Sequence, residues 1–501
     1  MASSLTAGSL KVVIARNPAT GAELGRVPAT SPEAVGAAVA RARGAQADWG
    51  ARPWPERRAA VARIWAELAR AADAWADAIR AEVGKPRGEA MAEVVAALDA
   101  IRWTARHGGR ALADERLGPG WQRFLLVPSA RVRYRPIGVV GIIGTWNYPL
   151  LLNAPVIAQA LAAGNAVVWK PSELATLAGE RLQHSLEAAG IPEGLVSAVL
   201  GGPEVGRALA ESDLDKGVFT GGVAGGRRVL AALAARGVPA IAELSGFDAA
   251  IVLPDAPFEP SARALAWGAF VGSGQTCVAV KRLYVVGDAR PWAEALAERA
   301  RNLRVGDPAA GTSDLGPMIS AGARDRLDAM VKATIAAGAR LVLGGAPIEG
   351  PGWFYRPTVL LAETAEPEAA LAGAFGPVVL VRGVRDADAA IDAANANPFG
   401  LAASIWGRDL RAARALARRL DAGMVAVNDA VTPSAHAAAP FGGMKASGFG
   451  RTRGVLGLRE FTQPQALQVR SPGGFRPQLF PYSDRLERIL RLYRGLFHPR
   501  S

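Results

Sequence analysis

The chain has 501 residues, of which 50% are hydrophobic and 21% charged, a composition typical of a folded globular protein with a large core. The single cysteine excludes a disulfide-bonded scaffold. The formal net charge is +13, but the basic residues are spread along the chain, so this charge does not favour nucleic-acid binding.

The N-terminal part of the chain is predicted to be helical. Residues 1–10 lack the basic and apolar segments of a signal peptide, so we expect a cytoplasmic protein. From residue 31 to about residue 107, apolar side chains recur at three- and four-residue spacing, which predicts helices. Prolines and glycines at 52–55 and 84–86 predict breaks. Residues 124–134 alternate in character, which indicates an extended hairpin arm.

An uncharged stretch of 34 residues runs from Pro136 to Trp169. Its length alone would suit a membrane span. Prolines, glycines and amide side chains interrupt it, so a buried strand followed by a buried helix is the better interpretation.

Strands and helices alternate through the rest of the chain. In the first region, strands at 137–143, 166–169, 196–200 and 217–220 are separated by helical segments such as 153–163 and 175–189. A second region, residues 249–427, has strands near Ala250, Arg282, Leu341, Val378 and Ser404. This alternation predicts two α/β units built on doubly wound parallel sheets.

The C-terminal tail is basic. Residues 471–501 hold six arginines against Asp484 and Glu487, a net charge of 6 − 2 = +4, and end in a short amphipathic helix. Such a helix could be a solvated surface element.

The only cysteine, Cys277, follows the glycine-rich turn Gly272–Thr276. Glycines let the backbone approach a ligand closely, and a cysteine there could be a nucleophile or simply a small buried apolar residue. The four histidines lie outside any motif, and no zinc or serine-hydrolase motif is present, so no metal site or Cys–His protease is predicted. Glu243, after a short apolar run, could be a general base or a solvated acid.

Three further segments place polar groups or glycines at predicted strand ends. Asn147 could donate to an oxyanion, or be a turn asparagine before proline. Lys170 and Glu173 could hold ribose hydroxyls, or the Ser172–Glu173 pair could cap the next helix. The turn at residues 219–226 contains four glycines between a strand and a helix, which presents helix N-terminal amides to a phosphate.

Together these segments resemble the aldehyde dehydrogenase superfamily over almost the whole chain. The matching blocks, in the family's order, are Asn17–Gly21, Thr145–Pro149, Gly164–Glu173, Phe219–Gly221, Glu243–Gly246, Gly274–Cys277, Phe375–Pro377, Asn397–Leu401 and Pro440–Gly448. The resemblance implies NAD(P)+-dependent oxidation of an aldehyde to a carboxylic acid. It implies that Cys277 attacks the aldehyde, that Asn147 and the Cys277 backbone amide stabilise the oxyanion of the thiohemiacetal, and that Glu243 activates the water that hydrolyses the thioester.

The resemblance also implies a cofactor site. Lys170 and Glu173 would hold the adenine ribose, and because an acidic residue repels a 2′-phosphate, NAD is favoured while NADP use stays open. The other implied cofactor residues are Trp146, Gly202, Gly206, Gly221, Gly222, Val223, Gly226, Leu244 and Phe375. Two positions depart from the family pattern: Gly222 stands where serine is usual, and Gly373 stands where a glutamate normally holds the nicotinamide ribose.

The resemblance divides the chain into parts. Residues 1–120 and 137–245 would form the dinucleotide-binding domain, and residues 246–446 the catalytic domain. Residues 121–136 with 460–472 would form a β-hairpin oligomerisation arm, which implies a homodimer or homotetramer, and residues 473–501 the basic tail. The tail resembles the basic C-terminal extensions of some fatty-aldehyde-type members, which implies that it could cover the tunnel of a partner subunit or make peripheral contact with an anionic membrane.

Two other functions remain open at this point. A coenzyme-A-acylating semialdehyde dehydrogenase would release the thioester to a thiol, which makes a water-activating Glu243 unnecessary. A cofactor-binding protein that kept the fold but has little turnover would suit the missing glutamate at Gly373, but not the presence of Cys277, Glu243 and Asn147 together.

Overall fold

The computed structural model describes residues 11–117, 129–470, 472, 476, 479–482 and 484–498. The chain divides into two compact units. The first comprises Met1–Ala111 and Pro136–Thr462, and the second comprises Leu112–Arg135 and Gln463–Ser501. Within the described ranges, no helix combines the length and apolar character needed to cross a bilayer.

The helices of the described residues are, in chain order, α1 (Pro32–Ala51), α2 (Trp54–Arg70), α3 (Ala72–Val83), α4 (Arg87–Ala111), α5 (Ala154–Ala162), α6 (Thr176–Ala188), α7 (Pro203–Ala210), α8 (Val223–Ala235), α9 (Phe258–Phe270), α10 (Arg290–Arg301), α11 (Ala321–Ala336), α12 (Glu366–Leu371), α13 (Ala387–Ala396), α14 (Leu410–Ala417), α15 (Gly454–Arg459) and α16 (Asp484–Phe497).

The strands are β1 (Val12–Arg16), β2 (Glu23–Pro28), β3 (Glu115–Leu117), β4 (Ser129–Pro136), β5 (Val139–Ile143), β6 (Ala166–Lys170), β7 (Val196–Ala198), β8 (Lys216–Thr220), β9 (Ala240–Glu243), β10 (Asp248–Val252), β11 (Val280–Val286), β12 (Arg340–Leu343), β13 (Thr358–Ala362), β14 (Val378–Val384), β15 (Phe399–Gly400), β16 (Ala402–Trp406), β17 (Met424–Val427), β18 (Met444–Lys445), β19 (Gly448–Phe449) and β20 (Thr462–Val469).

The four N-terminal helices begin and end where the sequence predicts breaks. Ser31 caps α1 by accepting a hydrogen bond from the Ala34 amide at 3.2 Å. Pro53 precedes α2, and Gly84 ends α3 in the left-handed conformation, φ 78°. The predicted helical region 31–107 is therefore confirmed as α1 to α4.

The first sheet has six strands in the order β19-β9-β8-β5-β6-β7. Strands β5 to β9 are parallel, and β19 pairs antiparallel with β9. Strand β5 and helix α5 both lie in the uncharged stretch, and each is buried throughout. Because parallel strands end at one edge of a sheet, the residues after Ile143, Lys170, Thr220 and Glu243 converge there.

The second sheet has seven strands in the order β12-β13-β14-β11-β10-β16-β17, all parallel except β12. Helices α9 and α10 pack on one side of it, burying Leu265, Leu283 and Leu296 in one apolar cluster. The five strands predicted for this region are confirmed, and β13 and β17 are additions. The prediction of a mixed α/β protein with parallel sheets is thereby confirmed.

The second unit contains a three-stranded sheet in the order β20-β4-β3, with β3 and β4 antiparallel. The predicted arm at 121–136 falls partly outside the described residues, which begin again at residue 129. Helix α16 confirms the amphipathic helix expected in the tail, and none of its residues is buried. The oligomerisation role of the arm and the domain boundaries stay predictions.

Candidate active site

Two cavities meet at Cys277 in the first unit. The first has a volume of about 450 Å³ and is lined by residues that include Trp146, Asn147, Gly221, Gly222, Glu243, Leu244, Cys277, Gly373 and Phe375. The second has a volume of about 420 Å³ and is lined mainly by apolar side chains, with Cys277 in its wall. Leu152, Cys277 and Phe441 line both cavities. The thiol is thus reachable from two sides.

The turn before Cys277 is tightly held. Gly272, Ser273 and Gly274 have φ values of 63°, 54° and 64°, a conformation that favours glycine. A side chain at position 274 would collide with the Gly376 carbonyl. Gln275 Nε2 donates to the Pro317 carbonyl at 3.1 Å, and its Oε1 accepts from the Ile319 amide at 2.9 Å. These contacts fix the backbone that carries the thiol.

Asn147 lies after the carboxyl end of β5 and is 4% exposed. Its Oδ1 accepts from Thr145 Oγ1 at 2.9 Å, which orients the amide. Its Nδ2 donates to the Gln275 carbonyl at 3.0 Å. The amide nitrogen is therefore tied to the turn of Cys277 and lines the same cavity. A donor in this place can serve an oxyanion formed beside the thiol.

Glu243 ends β9 and is 5% exposed. Neither of its carboxylate oxygens has a hydrogen-bond partner among the described residues. Burial raises the pKa of Glu243 well above its usual value, and the nearby charges of Arg451 and Arg453 oppose that rise. A carboxylate held this way binds a proton more strongly than a solvated glutamate does, as a general base requires.

Burial also raises the pKa of Cys277 to about 12, and the charges of Asp248 and Glu243 add to the effect while Arg453 opposes it. The thiol is therefore protonated at neutral pH, and its attack on an electrophile needs a proton acceptor. Glu243 lines the first cavity together with Cys277.

A second group of residues at the same sheet edge has the chemistry of a dinucleotide site. Lys170 Nζ lies 2.7 Å from Glu173 Oε2, at the end of β6. Gly206 of α7 faces the Lys170 side chain, since an added Cβ would lie 3.5 Å from Lys170 Cδ. Gly202 precedes α7 as its N-terminal cap. Leu174, next to Glu173, reaches the first cavity.

The glycine turn after β8 leads into α8, which starts at Val223. No described side chain caps this helix, so its first amides remain available to an anion. An added Cβ at Gly222 would meet nothing within 4 Å, whereas one at Gly226 would collide with Leu244. The turn therefore leaves open space where a phosphate could lie, and these residues fit a dinucleotide.

Trp146 and Phe375 face each other in the first cavity with ring centroids 5.8 Å apart, edge to face. Gly373 lines the same cavity with φ 83°. No carboxylate stands at this position, as the sequence indicated. Of the predicted residues, Lys170, Glu173, Gly202, Gly206, Val223 and Gly226 do not line the first cavity but lie at or behind its sheet edge.

Sequence reasoning missed the charged wall of the second cavity. Lys85 Nζ lies 2.6 Å from Glu93 Oε2 and 3.3 Å from the ring centroid of Tyr148. Glu89 accepts from the Gly272 amide at 3.1 Å, and burial raises its pKa to about 7. Arg453 completes this wall. No motif in the sequence marks these charged residues as neighbours.

Comparisons with known proteins show the family to which the chain is similar. A family model described as "Aldehyde dehydrogenase family" matches residues 6–467. The 4,4'-diapolycopene aldehyde oxidase of a Methylomonas species is 35% identical over 479 residues, covering 95% of this chain and 89% of that protein. The succinate-semialdehyde dehydrogenase of Paenarthrobacter nicotinovorans is 34% identical over 455 residues, covering 89% of this chain and 98% of that protein.

Among solved structures, the Mycobacterium tuberculosis aldehyde dehydrogenase complexed with NAD+ has a TM-score of 0.88 and 32% sequence identity. The match covers 94% of this chain and 96% of that one. The names of other relatives specify NAD+ in some cases and NADP+ in others.

Proposed function

Because the chain belongs to the aldehyde dehydrogenase family, whose general reaction is the NAD(P)+-dependent oxidation of aldehydes, we propose that Cys277, Asn147 and Glu243 carry out this reaction. The observation that carries the proposal is that Cys277 lies where two cavities meet. One is mainly apolar, and the other is lined by five of the dinucleotide candidates, namely Trp146, Gly221, Gly222, Leu244 and Phe375. The aldehyde would enter through the second cavity.

In the first step, Cys277 Sγ forms a bond to the aldehyde carbon while its S–H bond breaks and the proton is released to solvent. The aldehyde oxygen gains the negative charge, and Asn147 Nδ2 and the Cys277 backbone amide donate to it. Trp146, Phe375 and the turn at Gly221 and Gly222 would hold the nicotinamide cofactor, which would supply a hydride acceptor for the same carbon, so that Cys277 would carry a thioester.

In the second step, Glu243 takes a proton from water as the water oxygen bonds to the thioester carbon. The carbon–sulfur bond breaks, Cys277 regains its proton, and the carboxylic acid leaves. The buried, unbonded carboxyl of Glu243 suits this role because its raised pKa makes it a stronger base than a solvated glutamate.

NAD is the cofactor that the site favours. Glu173 follows the end of β6, where it would meet the adenine ribose, and its carboxylate would repel a 2′-phosphate. Lys170 already forms an ion pair with Glu173, so its positive charge is partly neutralised within the protein.

The three-stranded sheet of β20, β4 and β3 is the surface through which we expect homodimers or homotetramers to form. Exposed strand edges readily pair with another chain. The tail helix α16 suits peripheral contact with an anionic membrane, since Arg485, Arg488, Arg491 and Arg494 recur at three-residue spacing beside exposed leucines.

The test is a panel of aldehydes with NAD+ and NADP+, followed by NADH absorbance, with and without coenzyme A. We expect NAD+-dependent acid formation that coenzyme A does not accelerate, and loss of turnover in Cys277→Ala at an unchanged melting temperature. Arg414→Met, on the exposed face of α14, is the matched control. Acyl-coenzyme A as the main product, or full turnover without the thiol, would overturn the proposal.

A further inference from the structure

A buried guanidinium group stands in the wall of the second cavity, the cavity proposed for the aldehyde. Arg453 is 4% exposed and lines this cavity together with Cys277. Its backbone has φ 60°, and its amide donates to Gln159 Oε1 at 3.1 Å. Its Nη1 donates to the Ser434 carbonyl, and its guanidinium carbon lies 5.0 Å from the ring centroid of Phe441. The side chain is thus held in one place.

Arg453 lacks an ion-pair partner within the part of the chain that the structure describes. The other cation of this wall, Lys85, is paired with Glu93, whose second oxygen accepts from the amides of Leu150 and Leu151. Glu89 is partly protonated at neutral pH, because burial raises its pKa to about 7. Among the described side chains that line this cavity, Arg453 is therefore a cation without an ion-pair partner.

This arrangement is costly unless an anion joins it. A buried charge without a partner is strongly unfavourable. Burial lowers the pKa of Arg453 only to about 10, so it stays protonated at neutral pH. The Ser434 carbonyl occupies one Nη1 donor, and the remaining donors of a guanidinium form a planar fork that matches both oxygens of a carboxylate.

The rest of the wall is mostly hydrocarbon, with Leu151, Trp267, Val278 and Val431 among its side chains. An apolar chain or ring would pack there, with its carbonyl carbon at Cys277. A negatively charged group on the same molecule could form an ion pair with Arg453 in that wall.

We propose that Arg453 binds a carboxylate of the substrate, and that the substrate class is an oxo acid: an aldehyde joined through an apolar spacer to a carboxylate. This inference rests on the proposed function and adds the residue that selects the substrate.

Three matched pairs test the proposal: succinic semialdehyde with butanal, adipic semialdehyde with hexanal, and para-carboxybenzaldehyde with benzaldehyde. A charge-assisted contact contributes about 1.5–3 kcal/mol, so in the wild type kcat/KM should favour the acid of at least one pair about 10- to 100-fold. In Arg453→Met this ratio should fall at least about 10-fold, mainly through a higher KM of the acid. In Arg453→Lys the ratio should lie between those of the wild type and Arg453→Met, because lysine keeps the charge but loses the planar pair of donors of the guanidinium.

Arg414→Met is the control for removing an arginine from the exposed surface, and melting temperatures check folding. Neutral aldehydes oxidised as well as the acids in every pair would overturn the proposal. So would an equal loss for acid and neutral members in Arg453→Met, which would instead assign Arg453 to the thiol of Cys277.

A binding experiment separates failure of this inference from failure of the proposed function. Calorimetry with adipate and hexanol on Cys277→Ala needs no turnover. Adipate should bind at least about 10-fold more tightly than hexanol, and adding Arg453→Met should remove the difference. An enzyme without aldehyde oxidation that still binds adipate through Arg453 would refute the proposed function alone. Equal affinities for adipate and hexanol would refute the role of Arg453.

Discussion

Glu243 has an unusual position for an acid, since it is buried with neither oxygen bonded to a described residue. A group of this kind is held for a reaction and not for stability, because its ionised form is penalised by burial. Replacing it therefore separates chemistry from folding more cleanly than replacing the well-bonded residues around it.

We expect Glu243→Gln to form roughly one equivalent of NADH per subunit in a burst, because acylation of Cys277 proceeds. Steady-state turnover should then be at least about 100-fold slower than in the wild type, because hydrolysis of the thioester lacks its base. Stopped-flow absorbance checks this. Its melting temperature at pH 8.5 should equal or exceed that of the wild type, since the raised pKa of Glu243 means that its ionisation with rising pH destabilises the native state. Wild-type steady-state turnover in the variant would contradict the assignment.

Cofactor choice should depend on Glu173. Its carboxylate and a 2′-phosphate would repel each other by about 1 kcal/mol per unit charge at about 4 Å in water. We therefore expect Glu173→Gln to lower the ratio of kcat/KM for NAD+ over NADP+ about 10-fold, measured with one aldehyde. Glu187→Gln, at the far end of α6, should leave the ratio unchanged. An unaltered ratio in Glu173→Gln would place the ribose elsewhere.

Sequence could point to Cys277, Asn147 and Glu243 because each belongs to a block with its own chemistry and a predicted strand or turn beside it. Arg453 gave no such indication, since Lys and Arg together number 58 and nothing in the local sequence marks one of them as buried. Its burial comes from long-range packing against Ser434, Phe441 and Gln159. Only the folded chain brings these residues together.

At the scale of elements, hydrophobic pattern predicted the strands that are buried on both faces, such as β5, β6 and β10. Two strands of the second sheet, β13 and β17, were not predicted. Strand β17 lies at the edge of the sheet and has no fully buried residue, so it lacks the apolar run that makes a buried strand visible, and its pairing with β16 decides its structure. Strand β13 is buried at all five residues, so this reason does not apply to it.

Helix α16 should carry any affinity for membranes. Each arginine near an anionic surface contributes about 1 kcal/mol, and screening by salt weakens it. Deleting the residues after Ser471 should therefore reduce co-sedimentation with phosphatidylserine vesicles at least about 10-fold at low salt, without changing benzaldehyde oxidation. Replacing Arg485, Arg488, Arg491 and Arg494 by glutamine should have a similar effect. Equal binding to phosphatidylcholine vesicles, or no binding by the full chain, would reject this role.

At the scale of the whole molecule, stability should fall as pH rises through the acid range to neutrality. Burial raises the pKa of both Glu82 and Glu89 to about 7 from an ordinary value of 4.5. Their protonated forms are thus favoured by folding, and the stability that they contribute is lost between about pH 4.5 and pH 7.

We expect Glu82→Gln to flatten this decline by about 1–3 kcal/mol, because it removes one of the two groups that must ionise inside the protein. Melting temperatures at pH 5.5 and pH 8.5 measure the difference, which should be smaller in Glu82→Gln than in the wild type or in the exposed control Glu187→Gln. A larger difference between the two melting temperatures in Glu82→Gln than in the wild type would show that Glu82 is ionised at both pH values. Its carboxylate would then be stabilised by the hydrogen bonds from the amides of Leu177 and Ala178.

The junction of two chambers at a single sulfur has a kinetic consequence. Under the proposed function the dinucleotide binds in the first cavity and the aldehyde in the second, so we expect that occupation of one cavity does not by itself block the other. An unreactive acid that fills the apolar chamber should compete with the aldehyde but act as a mixed or noncompetitive inhibitor towards the dinucleotide. We also expect the carboxylic acid product to be released while the dinucleotide is still bound, and a high concentration of one reactant not to hinder binding of the other.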